Sequence, residues 1–372
     1  MRTKPQIEKP SPVPLYDVPL TRRKALAKRT WKALGQSPEG KKEQLRVISE
    51  LVETRTEELL RAYKGVKSVS WGYKRKAAKC RKGLCVKFRV RKKRSTISEE
   101  KRLPLDVLAY ATVDNSRQLV VIPTDVEETR LDHRIKPQNV RRIAISAGNE
   151  LEYGTITCGV KVRGPQGYLE GHYAVSCRHV LHMTRAFHPR RMTGGDVSQA
   201  DAVTPIASIT RIRGALSHQA LRSHDVALAR ITDLPRFREL LASPRPQRWI
   251  QDDTYLGDSV YIWRPEINRP QRLRIVEAHL NSSFSIQYDT STGPITVFHR
   301  RLFECQGDTR PGDSGSPVTT DPEGTRLAGI HIAGDGTEKA PGSRAFFIPA
   351  YELMNASRLD GFNHNHRFIL NP

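Results

Sequence analysis

The sequence predicts a mainly β protein, a barrel or a sandwich, preceded by a small α+β region. Three observations lead there. From residue 141 onward, short apolar runs at 154–162, 168–176, 223–231, 259–263 and 327–332 are punctuated by Gly, Pro and Asp. No long helical pattern separates them, which is how many short strands read in sequence. Before that point the hydrophobic period changes from helical to alternating. Charge also divides the chain: residues 1–102 carry 30 of the 62 Lys and Arg but 10 of the 39 Asp and Glu, so most of the formal net charge of +23 lies there.

In chain order, residues 1–36 read as a basic, Pro-rich flexible arm with a short helical stretch at 21–34. Residues 37–126 read as a small basic α+β domain. Ser37-Pro38 supplies an N-cap and a proline at the first helical position. Leu45, Ile48, Val52, Leu59 and Tyr63 then recur at helical spacing, and the helix is expected to end near Gly65. Strands are expected at 66–73 and 84–91, joined by a basic turn containing Gly83, with another at 119–123. In the second strand Leu84, Val86, Phe88 and Val90 alternate with Cys85, Lys87, Arg89 and Arg91. That pattern predicts a half-buried strand with a cationic outer face. Residues 127–140 are charged and irregular, a linker, and 141–372 form the β domain.

Composition excludes several classes. No run of about 18 apolar residues exists, so no membrane-spanning helix is expected. The Pro-rich start lacks the apolar core of a secretory signal. The five cysteines, Cys80, Cys85, Cys158, Cys177 and Cys305, are odd in number and widely spread. They predict reduced thiols in the cytoplasm. Cys80 and Cys85 lack a second Cys or His pair close behind, so a hairpin with two free thiols is expected there rather than a zinc knuckle.

One constellation carries chemistry. Acyl transfer from a peptide bond needs a nucleophile, a base, a group orienting that base, and donors for an oxyanion. In Arg310-Pro311-Gly312-Asp313-Ser314-Gly315-Ser316-Pro317, glycines flank Ser314 and permit a tight turn open to a carbonyl. The amides of Gly312 and Ser314 then supply the oxyanion donors. His179, at the end of the apolar run Tyr173-Ala174-Val175-Ser176-Cys177-Arg178-His179-Val180, is the base candidate, ahead of His172 and His182. Asp225, directly before Val226-Ala227-Leu228, is the orienting acid, ahead of Asp201. This chemistry calls for no metal and no cofactor.

These three pieces resemble the motifs of the chymotrypsin/trypsin-like serine peptidases. They occur in that family's order, His then Asp then Ser, with separations of 46 and 89 residues. Over about residues 140–355 the resemblance implies two six-stranded antiparallel β-barrels, a triad of His179, Asp225 and Ser314, and a protein or peptide substrate. The segment Val69-Ser70-Trp71-Gly72-Tyr73-Lys74, with Val120 to Val126 after it, resembles the leader region of intracellular members in bacteria and in the plant Narrow Leaf 1-like group.

The sequence also departs from the secreted members. Val180 stands where they carry a cysteine, and no new N-terminus is evident to pair with Asp313. Arg142-Ile143 imitates a cleavage site, although an uncleaved strand residue is the favoured reading. For the substrate pocket, Asp308 occupies the position of an acid that binds Lys or Arg. Thr309 and His331 instead resemble a pair that binds Glu, and the choice stays open.

Two other function classes remain. One is a non-enzymatic scaffold that keeps the peptidase fold. The other is binding of nucleic acid or an acidic protein through residues 1–102, with Lys74, Arg75, Arg89, Arg91, Lys92, Lys93 and Arg94 as contacts and Trp71, Tyr73 and Phe88 for stacking. The same charges serve equally as a solubilising face or an edge-strand guard. The lack of a recognised nucleic-acid motif favours that plainer reading.

Overall fold

A computed structural model describes residues 20–63, 65–76, 79–90, 103–128, 136–137, 140–143, 150–153, 155–177, 180, 186–187, 207–211, 225–231, 234–240, 245–264, 269–290, 293–310, 312–335, 343–353 and 366–370. Two helices lead: α1 (Leu20–Leu34) and α2 (Pro38–Ala62). Ser37 caps α2 by accepting a hydrogen bond from the Gly40 amide at 3.0 Å. Leu45, Ile48, Val52 and Leu59 form the buried stripe that their spacing predicts.

Four strands follow, β1 (Val66–Lys76), β2 (Lys79–Val90), β3 (Asp106–Val113) and β4 (Ser116–Glu128). The β1–β2 register shifts between Tyr73/Leu84 and Arg75/Cys80. Gly83, at φ 120°, therefore lies inside β2 at this irregularity rather than in the connecting turn. Strands β3 and β4 form a hairpin closed by Asp114 and Asn115, both at positive φ (48° and 59°), the left-handed pair that a two-residue turn requires.

The chain continues through β5 (Lys136–Pro137), β6 (Val140–Ile143), β7 (Glu150–Tyr153), β8 (Cys158–Arg163), β9 (Leu169–Ser176), β10 (Ala186–Phe187), β11 (Ala207–Arg211) and β12 (Ala227–Ile231). After a short helix, α3 (Leu234–Leu240), come β13 (Arg248–Trp249), β14 (Ser259–Trp263), β15 (Pro270–Thr290), β16 (Gly293–Gln306), β17 (Pro317–Thr319), β18 (Arg326–Gly334) and β19 (Arg344–Pro349). The last elements are α4 (Ala350–Leu353) and β20 (Arg367–Leu370). No helix among the described residues is long and apolar enough to cross a membrane.

Six of these strands close on themselves in the order β14, β17, β18, β19, β16, β15 and back to β14, every pairing antiparallel. This is a barrel, filled by Val260, Ile262, Ile275, Phe303, Val318 and Phe347, each at most 2% exposed. A second, six-stranded sheet runs β10, β11, β12, β9, β8, β20 and is antiparallel throughout. Among the described residues its two outer strands are not paired with each other.

Strand β1 joins the barrel directly. It pairs with β15 through Trp71↔Ala278 and Gly72↔Glu277, so β1 to β4 belong to the barrel's own 12-stranded sheet. Gly72 permits the approach, because a Cβ there would stand 2.6 Å from the Val276 carbonyl oxygen.

This junction corrects the expected cationic outer face of β2. Lys87 is fully buried and Arg89 nearly so. Lys87 Nζ donates to Glu277 Oε2 at 2.8 Å and Glu127 Oε1 at 2.9 Å, while Arg89 Nη2 donates to Glu277 Oε1 at 2.6 Å. Ser70 Oγ donates to the same Glu277 oxygen at 2.6 Å. Strand β2 lies inside the sheet between β1 and β4, and Glu277 of β15, two strands away in the same sheet, reaches Lys87 and Arg89. Arg89 is thereby withdrawn from any polyanion surface. Lys74 is exposed on β1. The side chain of Arg75, and all of Arg91, Lys92, Lys93 and Arg94, lie outside the described residues. Cys85 is buried as a free thiol whose pKa burial pushes up to about 12.

Charge and hydrogen bonding are balanced around Glu277. Burial alone would raise its pKa, but Arg89 and Lys87 hold it down to about 2. Burial lowers the pKa of His279, so its ring is neutral. Its Nδ1 then accepts from Arg89 Nη1 at 2.7 Å and its Nε2–H donates to Glu304 at 3.1 Å. Glu277, His279 and Glu304 have donor atoms at metal-ligating separations. Those donors are already committed to a guanidinium and an ammonium, which a cation would have to displace.

Candidate active site

The Ser314 turn links β16 to β17 and is shaped by two glycines in left-handed conformations, Gly312 at φ 98° and Gly315 at φ 90°. At Gly315 no other residue fits, since a Cβ would meet the Thr155 carbonyl oxygen at 1.8 Å and Ser176 Oγ at 2.5 Å. Those two contacts define the site's geometry. Thr155 lies just before β8, and Ser176 is the last residue of β9, so one end of these two strands is pressed against the turn that leaves the barrel.

A lattice of hydrogen bonds holds the two together. The Thr155 amide donates to the Ser314 carbonyl at 2.7 Å, Thr155 Oγ1 to the Gly312 carbonyl at 3.1 Å, and Thr157 Oγ1 to the Gly315 carbonyl at 2.7 Å. Ser176 Oγ donates back to the Thr155 carbonyl at 2.6 Å. On the barrel side, the Gly315 amide donates to the His331 carbonyl at 2.8 Å. Cys177 Sγ, at 3.2 Å, donates to that same carbonyl. Thr155 and Thr157 carry no motif, and nothing in the sequence distinguishes them.

Ser314 is fully buried, and its hydroxyl donates to the Ile332 carbonyl at 3.1 Å. Asp225 is also fully buried, directly ahead of β12, whose Ala227 pairs with Ser176. Burial, and secondarily the negative charge of Asp225, push the pKa of Cys177 well above its ordinary value. Cys177 is therefore a neutral thiol and no nucleophile. Ser314, Cys177 and Asp225 thus meet where the two sheets touch. His179 follows Cys177 by two residues and lies outside the described residues, as do His182 and Asp201. His172 is described and lies on β9, with its pKa lowered chiefly by burial.

Asp313 has a partner that the sequence did not disclose. Arg264, the residue after β14, places Nε 2.8 Å from Asp313 Oδ2 and 3.0 Å from Oδ1, with both side chains almost wholly buried. Asp313 Oδ2 also accepts from the Arg310 amide at 2.7 Å, which ties the turn to its own start. Arg264 is an isolated arginine before a proline, and such a residue carries no sequence signal. Arg142-Ile143, the imitated cleavage site, lies in β6, where Ile143 pairs with Glu150.

The ion pair makes a prediction. Arg264→Met keeps the side-chain volume but leaves the Asp313 carboxylate buried and uncompensated, which costs roughly 3–5 kcal/mol. Urea unfolding is expected to show that loss. Adding Asp313→Asn is expected to recover part of it; an Arg264→Met variant as stable as the parent would remove the ion pair from the account.

Of the residues expected to line a substrate pocket, Asp308 and Thr309 follow β16 and His331 lies on β18. Thr309 is 2% exposed and Asp308 half-buried, and neither Thr309 Oγ1 nor Asp308 Oδ1 has a hydrogen-bond partner among the described residues. His331 is fully buried on β18, its amide donating to the Ser316 carbonyl at 3.0 Å.

No protein-family profile and no curated protein matches the chain. Among solved structures, the inactive form of the Rv3671c protease of M. tuberculosis H37Rv is 17% identical, covering 54% of this chain and 86% of its own, with a TM-score of 0.27. An inactivated protease paralogue of the scabies mite is 16% identical, covering 54% and 95%, with a TM-score of 0.31. A mutant of the Tobacco Etch Virus protease is 12% identical, covering 64% and 88%, with a TM-score of 0.26. Likeness at these scores carries no argument about this chain.

Proposed function

We propose that this protein is a serine peptidase of the trypsin-like type, working by acyl transfer through Ser314. The supporting observation is the junction at Gly315, where the Ser314 turn, Cys177 and Asp225 come together between two β-sheets. His179 lies outside the described residues and enters this reading on its motif, three residues after Ser176 in the chain.

In this reading His179 takes the proton of Ser314 as Oγ attacks the scissile carbonyl. Asp225 orients the imidazole and stabilises its charged form, and the amides of Gly312 and Ser314 hold the oxyanion. The tetrahedral adduct collapses to an ester on Ser314 as His179 returns the proton to the leaving amine. Water, deprotonated by His179, then releases the acid. Arg264 holds Asp313, and with it the turn, without a cleaved chain end. The second sheet is read as the second barrel, and the strands before residue 128 as a region through which activity is regulated. Substrate preference follows from which groups reach the scissile residue. Asp308 would select a basic side chain, and Thr309 with His331 an acidic one. A peptide-library cleavage profile separates the two.

One observation favours a different reading. Ser314 is fully buried and bonded to Ile332, which suits a scaffold that has kept the fold without the chemistry. A fluorophosphonate probe decides between them. Covalent labelling of Ser314, lost in His179→Ala, is expected for the peptidase; an unlabelled Ser314 in folded protein selects the scaffold.

A further inference from the structure

A hollow of about 310 Å³ opens at the end of β18 remote from Ser314, lined by Gln247, Arg248, Trp249, Gln251, Tyr255 and Arg326. The Ser314 hydroxyl meets Ile332 six residues further along the same strand, a distance of about 20 Å. The hollow is built by the short parallel pairing of β13 on β18, which sets Arg248 level with Arg326 and Trp249 level with Leu327. The amides of Gln247 and Ile250 fix that pairing by donating to the Thr325 and Leu327 carbonyls, both at 2.9 Å. Residues level with one another on adjacent strands point to the same face, about 4.8 Å apart. Both arginine side chains therefore leave the strands on one face, and both line the hollow.

The acids near the two arginines in the chain form no ion pair with them among the described residues: Glu323 is exposed, and two others are held by backbone amides. Asp321 accepts from the amides of Thr325 at 2.7 Å and Arg326 at 3.1 Å, and Asp252 accepts from the Thr254 amide at 2.8 Å. Neither Arg248 nor Arg326 has a carboxylate partner among the described residues. Like charges set level across strands repel, and this pair persists at the rim of a concavity. Arg326 also lies 5.3 Å over the ring of Tyr255, which is 41% exposed. Trp249, level with the buried Leu327, also lines the hollow and is packed in part against the core.

We propose that this hollow binds single-stranded nucleic acid. Guanidinium forks match phosphate oxygens in geometry and charge. Tyr255 offers an exposed ring surface on which a base can stack, with Trp249 in the wall of the hollow, and the amides of Gln247 and Gln251 can donate to and accept from base edges. An acidic peptide would satisfy the arginines but make no use of the rings. The net charge of +23 attracts any polyanion to the molecule at long range, so the site must be tested by what happens locally. The proposal is independent of chemistry at Ser314, and its failure would leave the peptidase reading untouched.

The test uses the full chain, a labelled oligothymidylate and a poly-glutamate peptide. Binding is followed by anisotropy across a salt series and by tryptophan emission. Wild type is expected to bind the oligonucleotide with quenching that Trp249→Phe removes. Arg248→Ala/Arg326→Ala is expected to bind roughly ten- to a hundredfold more weakly, with the salt slope reduced by about 1.4 for two lost phosphate contacts. Arg248→Lys/Arg326→Lys, which keeps the charge without the forks, is expected to fall between, and it guards against misfolding of the alanine variant. The proposal is overturned if the alanine variant, its thermal unfolding unchanged, keeps the parent's affinity and salt slope. It is equally overturned if poly-glutamate at matched charge binds as tightly as the oligonucleotide, which would make the hollow an acidic-peptide site.

Discussion

Ser314→Ala is expected to abolish peptide hydrolysis, with kcat falling by roughly 10⁴- to 10⁶-fold, and to leave the fold intact. The size of the effect follows from the division of labour in acyl transfer. In the proposed mechanism, removing the hydroxyl removes the covalent intermediate and leaves His179 and Asp225 no proton to manage, so only binding and oxyanion stabilisation would remain. The structural cost is small. The hydroxyl contributes a bond to the Ile332 carbonyl, and the turn is held mainly by backbone and by Thr155, Thr157 and Asp313. Steady-state cleavage of a peptide library, beside a thermal unfolding curve, separates chemistry from folding. A variant that still turns over at a tenth of the parent rate would reject Ser314 as the nucleophile.

Glu277→Ala is expected to cost about 3–5 kcal/mol of stability. It removes the carboxylate on which Lys87, Arg89 and Ser70 converge and leaves two cations buried beside a neutral His279. Replacing the group together, Glu277→Leu with Lys87→Met and Arg89→Met, is expected to restore much of the loss, because apolar side chains of similar volume need no counter-charge. Urea unfolding of the single and triple variants is the measurement. A loss below about 1 kcal/mol for Glu277→Ala would mean that solvent reaches the cluster. The pH dependence has a definite sign. The carboxyl of Glu277 is held down to about 2 in the folded chain, from an ordinary value of 4.5. Its contribution is therefore complete above pH 4.5 and is lost as pH falls towards 2.

Much of the local structure was legible because it depends on neighbours in the chain. The cap at Ser37, the stripe Leu45, Ile48, Val52 and Leu59, and the strand Ser259–Trp263 follow from short-range rules and appear where those rules put them. Strands that failed to show themselves share one cause. The hairpin of β15 and β16 carries Glu277, His279 and Glu304 at fully or almost fully buried positions, so its alternation of apolar and polar residues is broken by groups whose partners are far away in sequence. Strand β2 was misread for the same reason, because Lys87 and Arg89 look like solvent-facing residues until Glu277 is placed against them. At the candidate site the turn around Ser314 was legible from its glycines. Arg264, Thr155 and Thr157 were not, since their roles exist only once the barrel brings them to the turn.

The pairing of β1 with β15 has a consequence in time. Ser70 and Glu277 are 207 residues apart, and synthesis at about 5–20 residues per second separates their emergence by roughly 10–40 s. For that interval the early hairpin has an unclaimed edge, the kind of template on which nascent chains stick to one another. Lys87 and Arg89 are then still in water, carrying positive charge at two positions that the finished sheet buries. The ion cluster of the finished protein thus begins as the guard of its own unfinished sheet.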